Sequence, residues 1–140
     1  MKISQTTHFQ VKTDLTYLKE VLRQFDAIKQ DWVNQKDWLQ CQLALAEGFT
    51  NAVRHAHKNK PVETPIDIEI SVSQEEINIR IWDYGQPFQL TSIVKKISHS
   101  SDLAGGGRGI EILQKIADEL SYDHHPNDRN CLLIKKKLLP

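Results

Sequence analysis

Two short stretches of strict alternation constrain this chain most. Residues 66–72 read Ile-Asp-Ile-Glu-Ile-Ser-Val, and residues 77–82 read Ile-Asn-Ile-Arg-Ile-Trp. A period of two puts the isoleucines on one face of a pleated strand and the polar residues on the other. Only residues 73–76 separate the stretches, which predicts a hairpin. A hairpin with one apolar face needs a second layer to cover it.

Helical segments can supply that layer. Over residues 14–28, Leu15, Leu18, Val21, Leu22, Phe25 and Ile28 fall at helical spacing, with Thr13 or Asp14 as the cap. Residues 37–57 predict a long helix, whose apolar stripe is read as Leu39, Leu43, Ala46, Phe49, Thr50 and Val53. Residues 107–120 predict a third, with Ile110, Leu113, Ile116, Ala117 and Leu120 on one face. Further strands are expected at 8–12, 121–124 and 131–137, the last two around a Pro126-Asn127 turn. Residues 86–104 carry no clear period, and a short helix is read at 90–97. The expected fold is α+β. It is a two-layer α/β sandwich in one domain, 1–140, with a mostly antiparallel mixed sheet covered on one face by helices.

Composition narrows the function classes. Eighteen Lys+Arg balance eighteen Asp+Glu, which argues against a general nucleic-acid binder. No window approaches the roughly 20 apolar residues of a membrane helix. Met1-Lys2-Ile3 leads into the polar run Ser4-Gln5-Thr6-Thr7, so no signal segment is read and a cytoplasmic location is expected. Cys41 and Cys131 are isolated and read as buried thiols. His55 and His57 are two apart and point to different helix faces, which disfavours a zinc site.

Glycine is more telling. Five of the six glycines are Gly85, Gly105, Gly106, Gly107 and Gly109. Such clustering suits close approach of backbone to a ligand. Three motifs surround these positions. Glu47 and Asn51 are four apart and share a helical face. A carboxylate there can act as a base, and a carboxamide oxygen suits Mg²⁺ held mainly by phosphates. A plain solvated polar face would look the same. Asp83-Tyr84-Gly85 follows the second strand. Its carboxylate can accept from a purine amino group, or can form an ordinary Asp-x-Gly turn. Gly105-Gly106-Gly107-Arg108-Gly109 opens the third helix. Its N–H groups and the guanidinium of Arg108 suit a phosphate, though a hinge is an equal reading.

In this order and spacing, the three motifs resemble the N, G1 and G2 boxes of the Bergerat-fold, or GHKL, ATPases. That group includes DNA gyrase B, histidine kinases and MutL. The boxes look most like those of the small anti-sigma-factor serine kinases of the RsbW and SpoIIAB type. The N box is 47–55, the G1 box 83–88 and the G2 box 106–110, and the resemblance covers nearly the whole chain.

The resemblance implies an ATP- and Mg²⁺-dependent serine kinase. Glu47 would be the general base and Asn51 the Mg²⁺ ligand. Asp83, with Gly85 beside it, would contact adenine. Gly105, Gly106, Gly107, Arg108 and Gly109 would hold the phosphates, under a lid carrying Lys95, Lys96 and His99. The implied substrate is a serine of a STAS-domain anti-anti-sigma protein. A sigma factor or similar client and a homodimer are implied as further partners, with no nucleic acid or membrane. One departure stands out: many relatives have another glycine soon after Asp-x-Gly, whereas Gln86-Pro87 follows here, stiffening the turn. Two other readings remain: a nucleotide-gated binding switch without phosphotransfer, and a detached ATPase domain of a histidine kinase. Glu47 favours the kinase, since a pure binder needs no base.

Overall fold

The alternation determines the sheet. In the computed structural model, which describes residues 4–85 and 109–138, the hairpin forms from β2 (Pro65–Ser73) and β3 (Glu76–Asp83). Ile68 pairs with Ile81, Ile70 with Ile79 and Val72 with Ile77. Such cross-strand apolar pairs stabilise a sheet by roughly 0.2–1 kcal/mol each. β1 (Ser4–Lys12) adds to β2, and β5 (Arg129–Lys137) adds to β3. β4 (Glu119–His125) pairs with β5, giving the order β1-β2-β3-β5-β4.

Every described ladder is antiparallel. β3 and β4 both run against β5 and are therefore parallel to each other, with β5 inserted between them. At the β4–β5 turn, Asn127 and Asp128 take positive φ, a conformation these two side chains tolerate.

Among the described residues, three α-helices cover one face. A 3₁₀ turn, Leu15–Tyr17, leads into α1 (Leu18–Asp26). Asp14 is its cap, accepting from Thr16 N–H at 2.9 Å. α2 (Gln35–Asn51) starts at Asn34, whose side chain accepts from Asp37 N–H at 2.8 Å. α3 (Gly109–Ile116) lies against α2. Phe25 stacks on Trp38 at 4.0 Å, and Trp38 donates to Asp26, joining α1 to α2. Among the described residues no helix is long and apolar enough to cross a membrane.

The stripe expected on α2 is corrected by the structure. The buried face is Trp38, Cys41, Ala44, Leu45, Gly48 and Phe49, whereas Leu39 and Leu43 are 50% and 45% exposed. Gly48 explains the rotation. A Cβ there would meet Ile81 Cδ1 at 2.5 Å and Leu132 Cδ2 at 3.3 Å. The helix seats its glycine on the sheet, which turns Leu39 and Leu43 outward.

Boundaries shift as well. The first strand reaches back to Ser4. The predicted third helix stops at Ile116, and Leu120 instead joins β4, opposite Ile134. The helix read at 90–97 lies outside the described residues. Cys41 and Cys131 are buried and free. Burial pushes the Cys41 thiol up to about 12 and that of Cys131 to about 11, so neither is a ready nucleophile at neutral pH.

Candidate functional site

Strand parity carries the apolar row of β3 directly into a charge. Ile77, Ile79 and Ile81 face the helices, and the next residue of that parity is Asp83, 2% exposed. A buried carboxylate must find donors. Oδ1 receives Gly85 N–H at 2.9 Å, Asn130 Nδ2 at 2.9 Å and the Tyr122 hydroxyl at 3.1 Å. Oδ2 receives only Tyr122, at 2.8 Å, among the described residues. Oδ2 thus keeps a lone pair for one more donor. Asn130 also donates to the Gly85 carbonyl, and His124 Nδ1 donates to Asn130 Oδ1 at 2.9 Å. Trp82, of opposite parity, lies on the other face under the Arg129 guanidinium, 3.9 Å from its ring centre.

Neither Asn130 nor Tyr122 was among the residues singled out from the sequence. The available signal was parity: Asn130 shares its face with Leu132 and Ile134, and Tyr122 with Leu120. A polar residue on an apolar row marks a buried network. Burial and the neighbouring Asp83 carboxylate raise the Tyr122 hydroxyl far above its ordinary value, keeping it a donor.

Glu47 and Asn51 share one face of α2, as their spacing predicts. Asn51 is buried, and among the described residues it makes no side-chain hydrogen bond. Its carboxamide is therefore available to a ligand. Glu47 is half-buried. Burial raises its carboxyl above the usual range, and Arg54 partly opposes this. A Cβ on Gly109 would come within 2.9 Å of Glu47 Oε2. The first turn of α3 thus sits directly against this carboxylate.

After Asn51 the helix widens into a π-turn, Ala52–Ala56, closed by His57 N–H donating to Ala52 O at 2.8 Å. Such turns often lie at functional sites. The backbone of Gly85 crosses it so closely that a Cβ would sit 2.2 Å from Ala56 O. Glycine is therefore required there by the protein's own backbone, whether or not a nucleotide base also comes near. This contact joins the Asp83–Gly85 turn to the helix bearing Glu47 and Asn51. Gly105, Gly106, Gly107, Arg108, and the lid residues Lys95, Lys96 and His99 lie outside the described residues.

Residues 11–136 match the family described as histidine kinase-like ATPase domain. The chain belongs to that family. This histidine kinase-like ATPase domain is 31% identical over 86 residues to the serine-protein kinase RsbW of Staphylococcus aureus strain bovine RF122 / ET3-1. That match covers 57% of this chain and 54% of the relative. Another Staphylococcus aureus RsbW sequence is 30% identical over 91 residues, covering 61% of this chain and 57% of the relative. The matches thus span little more than half the length of these relatives. Among solved structures, the RsbU and RsbW domains of Rv1364c from Mycobacterium tuberculosis superpose with a TM-score of 0.64 at 13% identity. They cover 97% of this chain and 33% of that one, which is a likeness of fold.

Proposed function

We propose that this domain binds Mg·ATP and transfers the γ-phosphate to a serine of a STAS-domain partner, as an anti-sigma regulator in a partner-switching system. The observation that carries the reading is Asp83. It is a nearly fully buried carboxylate whose Oδ1 takes two N–H donors and whose Oδ2, the nearer of the two oxygens to the single Tyr122 proton, keeps a spare lone pair; such an oxygen suits one exocyclic amino group such as that of adenine. Similarity to proteins named serine-protein kinase RsbW supports the choice of reaction.

In the reaction, the serine Oγ forms the bond to the γ-phosphorus, the bond to the β-bridging oxygen breaks, and ADP leaves. Glu47 takes the serine proton. Its raised carboxyl makes it a better base than a solvated glutamate. Asn51 would hold Mg²⁺, which neutralises the phosphate charge when bound. Gly109 lies at the positive end of α3, which suits the same phosphates, and Gly105, Gly106, Gly107 and Arg108 complete that cradle in this reading.

Incubation with γ-labelled ATP, Mg²⁺ and STAS proteins of the same genome tests the whole proposal. Label on a serine of one of them is the expected result. Binding of Mg·ATP without transfer to any would replace the kinase by a nucleotide-gated binding switch. Absence of Mg·ATP binding in calorimetry overturns the nucleotide site. Asn51→Ala should remove the Mg²⁺-dependent part of the affinity, and normal Mg·ATP binding by that variant would contradict its role.

A further inference from the structure

His57 closes the π-turn and is 2% exposed. Both ring nitrogens are engaged. Tyr84 N–H donates to Nε2 at 2.8 Å. Nδ1 lies 2.8 Å from Thr13 Oγ1, whose hydroxyl donates to the Thr64 carbonyl at 2.7 Å.

These partners assign the tautomer. A backbone N–H can only donate, so Nε2 must be the unprotonated acceptor. The single proton of Thr13 is committed to Thr64, so Nδ1 carries a proton and donates to Oγ1. The chain of donors runs one way, from Tyr84 through the ring and Thr13 to Thr64. It connects four separate segments: the end of β3, the continuation of α2, the corner between β1 and α1, and the residue that leads into β2. Phosphoryl transfer as described above makes no use of it.

We infer that His57 is a positioning residue: as a neutral acceptor, it fixes the Asp83–Gly85 turn against the helix that carries Glu47 and Asn51. The inference rests on reading Asp83 as the base-recognising carboxylate. Tyr84 directly follows Asp83, and Gly85 N–H binds its carboxylate. Releasing Tyr84 N–H would free the turn to shift relative to Asn51. The Gly85–Ala56 contact prevents closer approach, and the His57 bond prevents separation.

The same geometry gives a pH dependence. An imidazolium has two donors and no acceptor, so protonation breaks the bond to Tyr84. Two charged groups bear on the ring, Asp83 from β3 favouring the proton and Lys60 from the turn after His57 opposing it, while Thr13 and Tyr84 are neutral. Burial is the largest influence and holds the folded value below 6.5. The unfolded chain takes up the proton near 6.5, before the folded one does. The stabilisation is therefore full above 6.5 and is lost as pH falls through that value towards the lower folded one.

His57→Gln and His57→Leu test the inference. The glutamine oxygen can reach the position of Nε2 and accept from Tyr84 N–H, and it does not titrate. By calorimetry at pH 7.5, His57→Leu should bind Mg·ADP about tenfold more weakly, and His57→Gln within about threefold of the wild type. Between pH 7.5 and 5.5 the wild type should lose stability to denaturant more steeply than His57→Gln. Equal losses of affinity in the two folded variants, or identical profiles of stability against pH for wild type and His57→Gln, overturn the acceptor role.

Two readouts need no nucleotide. Exchange of the Tyr84 amide should be slow in wild type and in His57→Gln, and fast in His57→Leu. Nitrogen resonances of the wild-type ring should show Nε2 unprotonated at pH 7, which decides the matter even if His57→Leu does not fold. A protonated Nε2, or an unprotected Tyr84 amide in wild type, overturns the tether. Wild-type protein that binds no Mg·ADP, with Tyr84 still protected, overturns the nucleotide reading and leaves a tether without that function.

Discussion

Along the covered face of the sheet, Ile79 and Ile81 of β3 lie opposite Ile134 and Leu132 of β5, whereas one step further Asp83 lies opposite Asn130. The two regions share strands, parity and burial. In the first, the contacts are apolar and loose in direction, and α2 seats Gly48 against them. In the second, each buried polar group depends on a particular partner. The first region therefore supplies stability and tolerates reshaping. The second is directional, and in the function proposed above a small change there alters recognition more than folding.

Glu47→Ala gives the largest effect expected. Phosphotransfer should slow by about 10²–10⁴-fold with nucleotide affinity kept, and an unchanged rate with a cognate partner would remove Glu47 as the base. Ile79→Ala should cost about 2–5 kcal/mol in denaturant unfolding, while the folded fraction binds nucleotide as before. A parallel fall in affinity would dissolve the contrast between the regions.

Asp83→Asn keeps the shape but replaces an acceptor by a donor. Discrimination of ATP over GTP should fall about tenfold or more in competition binding, and a wild type that GTP competes for equally contradicts the adenine assignment. Tyr122→Phe is the mildest replacement. Asn130 and Gly85 still satisfy Oδ1, but Oδ2 loses its one donor among the described residues, so the loss should be about 1–3 kcal/mol of stability. A loss as large as that of Ile79→Ala would mean that Tyr122 holds the fold and does not merely tune the carboxylate.

The hairpin was legible almost residue by residue, because alternation reports a half-buried strand directly. The spacing of Glu47 and Asn51 was legible for the same kind of reason. The apolar stripe of α2 was not. Leucines at 39 and 43 are the obvious apolar choices, but a glycine at 48 can enter the sheet more closely than either. Leu120 suited a helical row after Ile116 equally well as a strand row before Tyr122, and only pairing with β5 decides between them. The polar network at the end of the sheet eluded the sequence because Asn130, Tyr122 and His57 gain meaning from partners between 27 and 47 positions away.

The insertion of β5 between two parallel strands bears on the order of assembly. Everything up to β3 can pair as it emerges from the ribosome, yet Asp83 then has no Asn130 or Tyr122. The partners of Asp83 sit on the last strands to arrive, which must close a long loop before they reward it. A chain arrested before residue 129 would carry Glu47, Asn51 and Asp83 and still lack Asn130. Synthesis and completion of this polar cluster are thereby coupled: a half-made copy holds the Asp83 carboxylate without the donor that reaches both it and the Gly85 carbonyl.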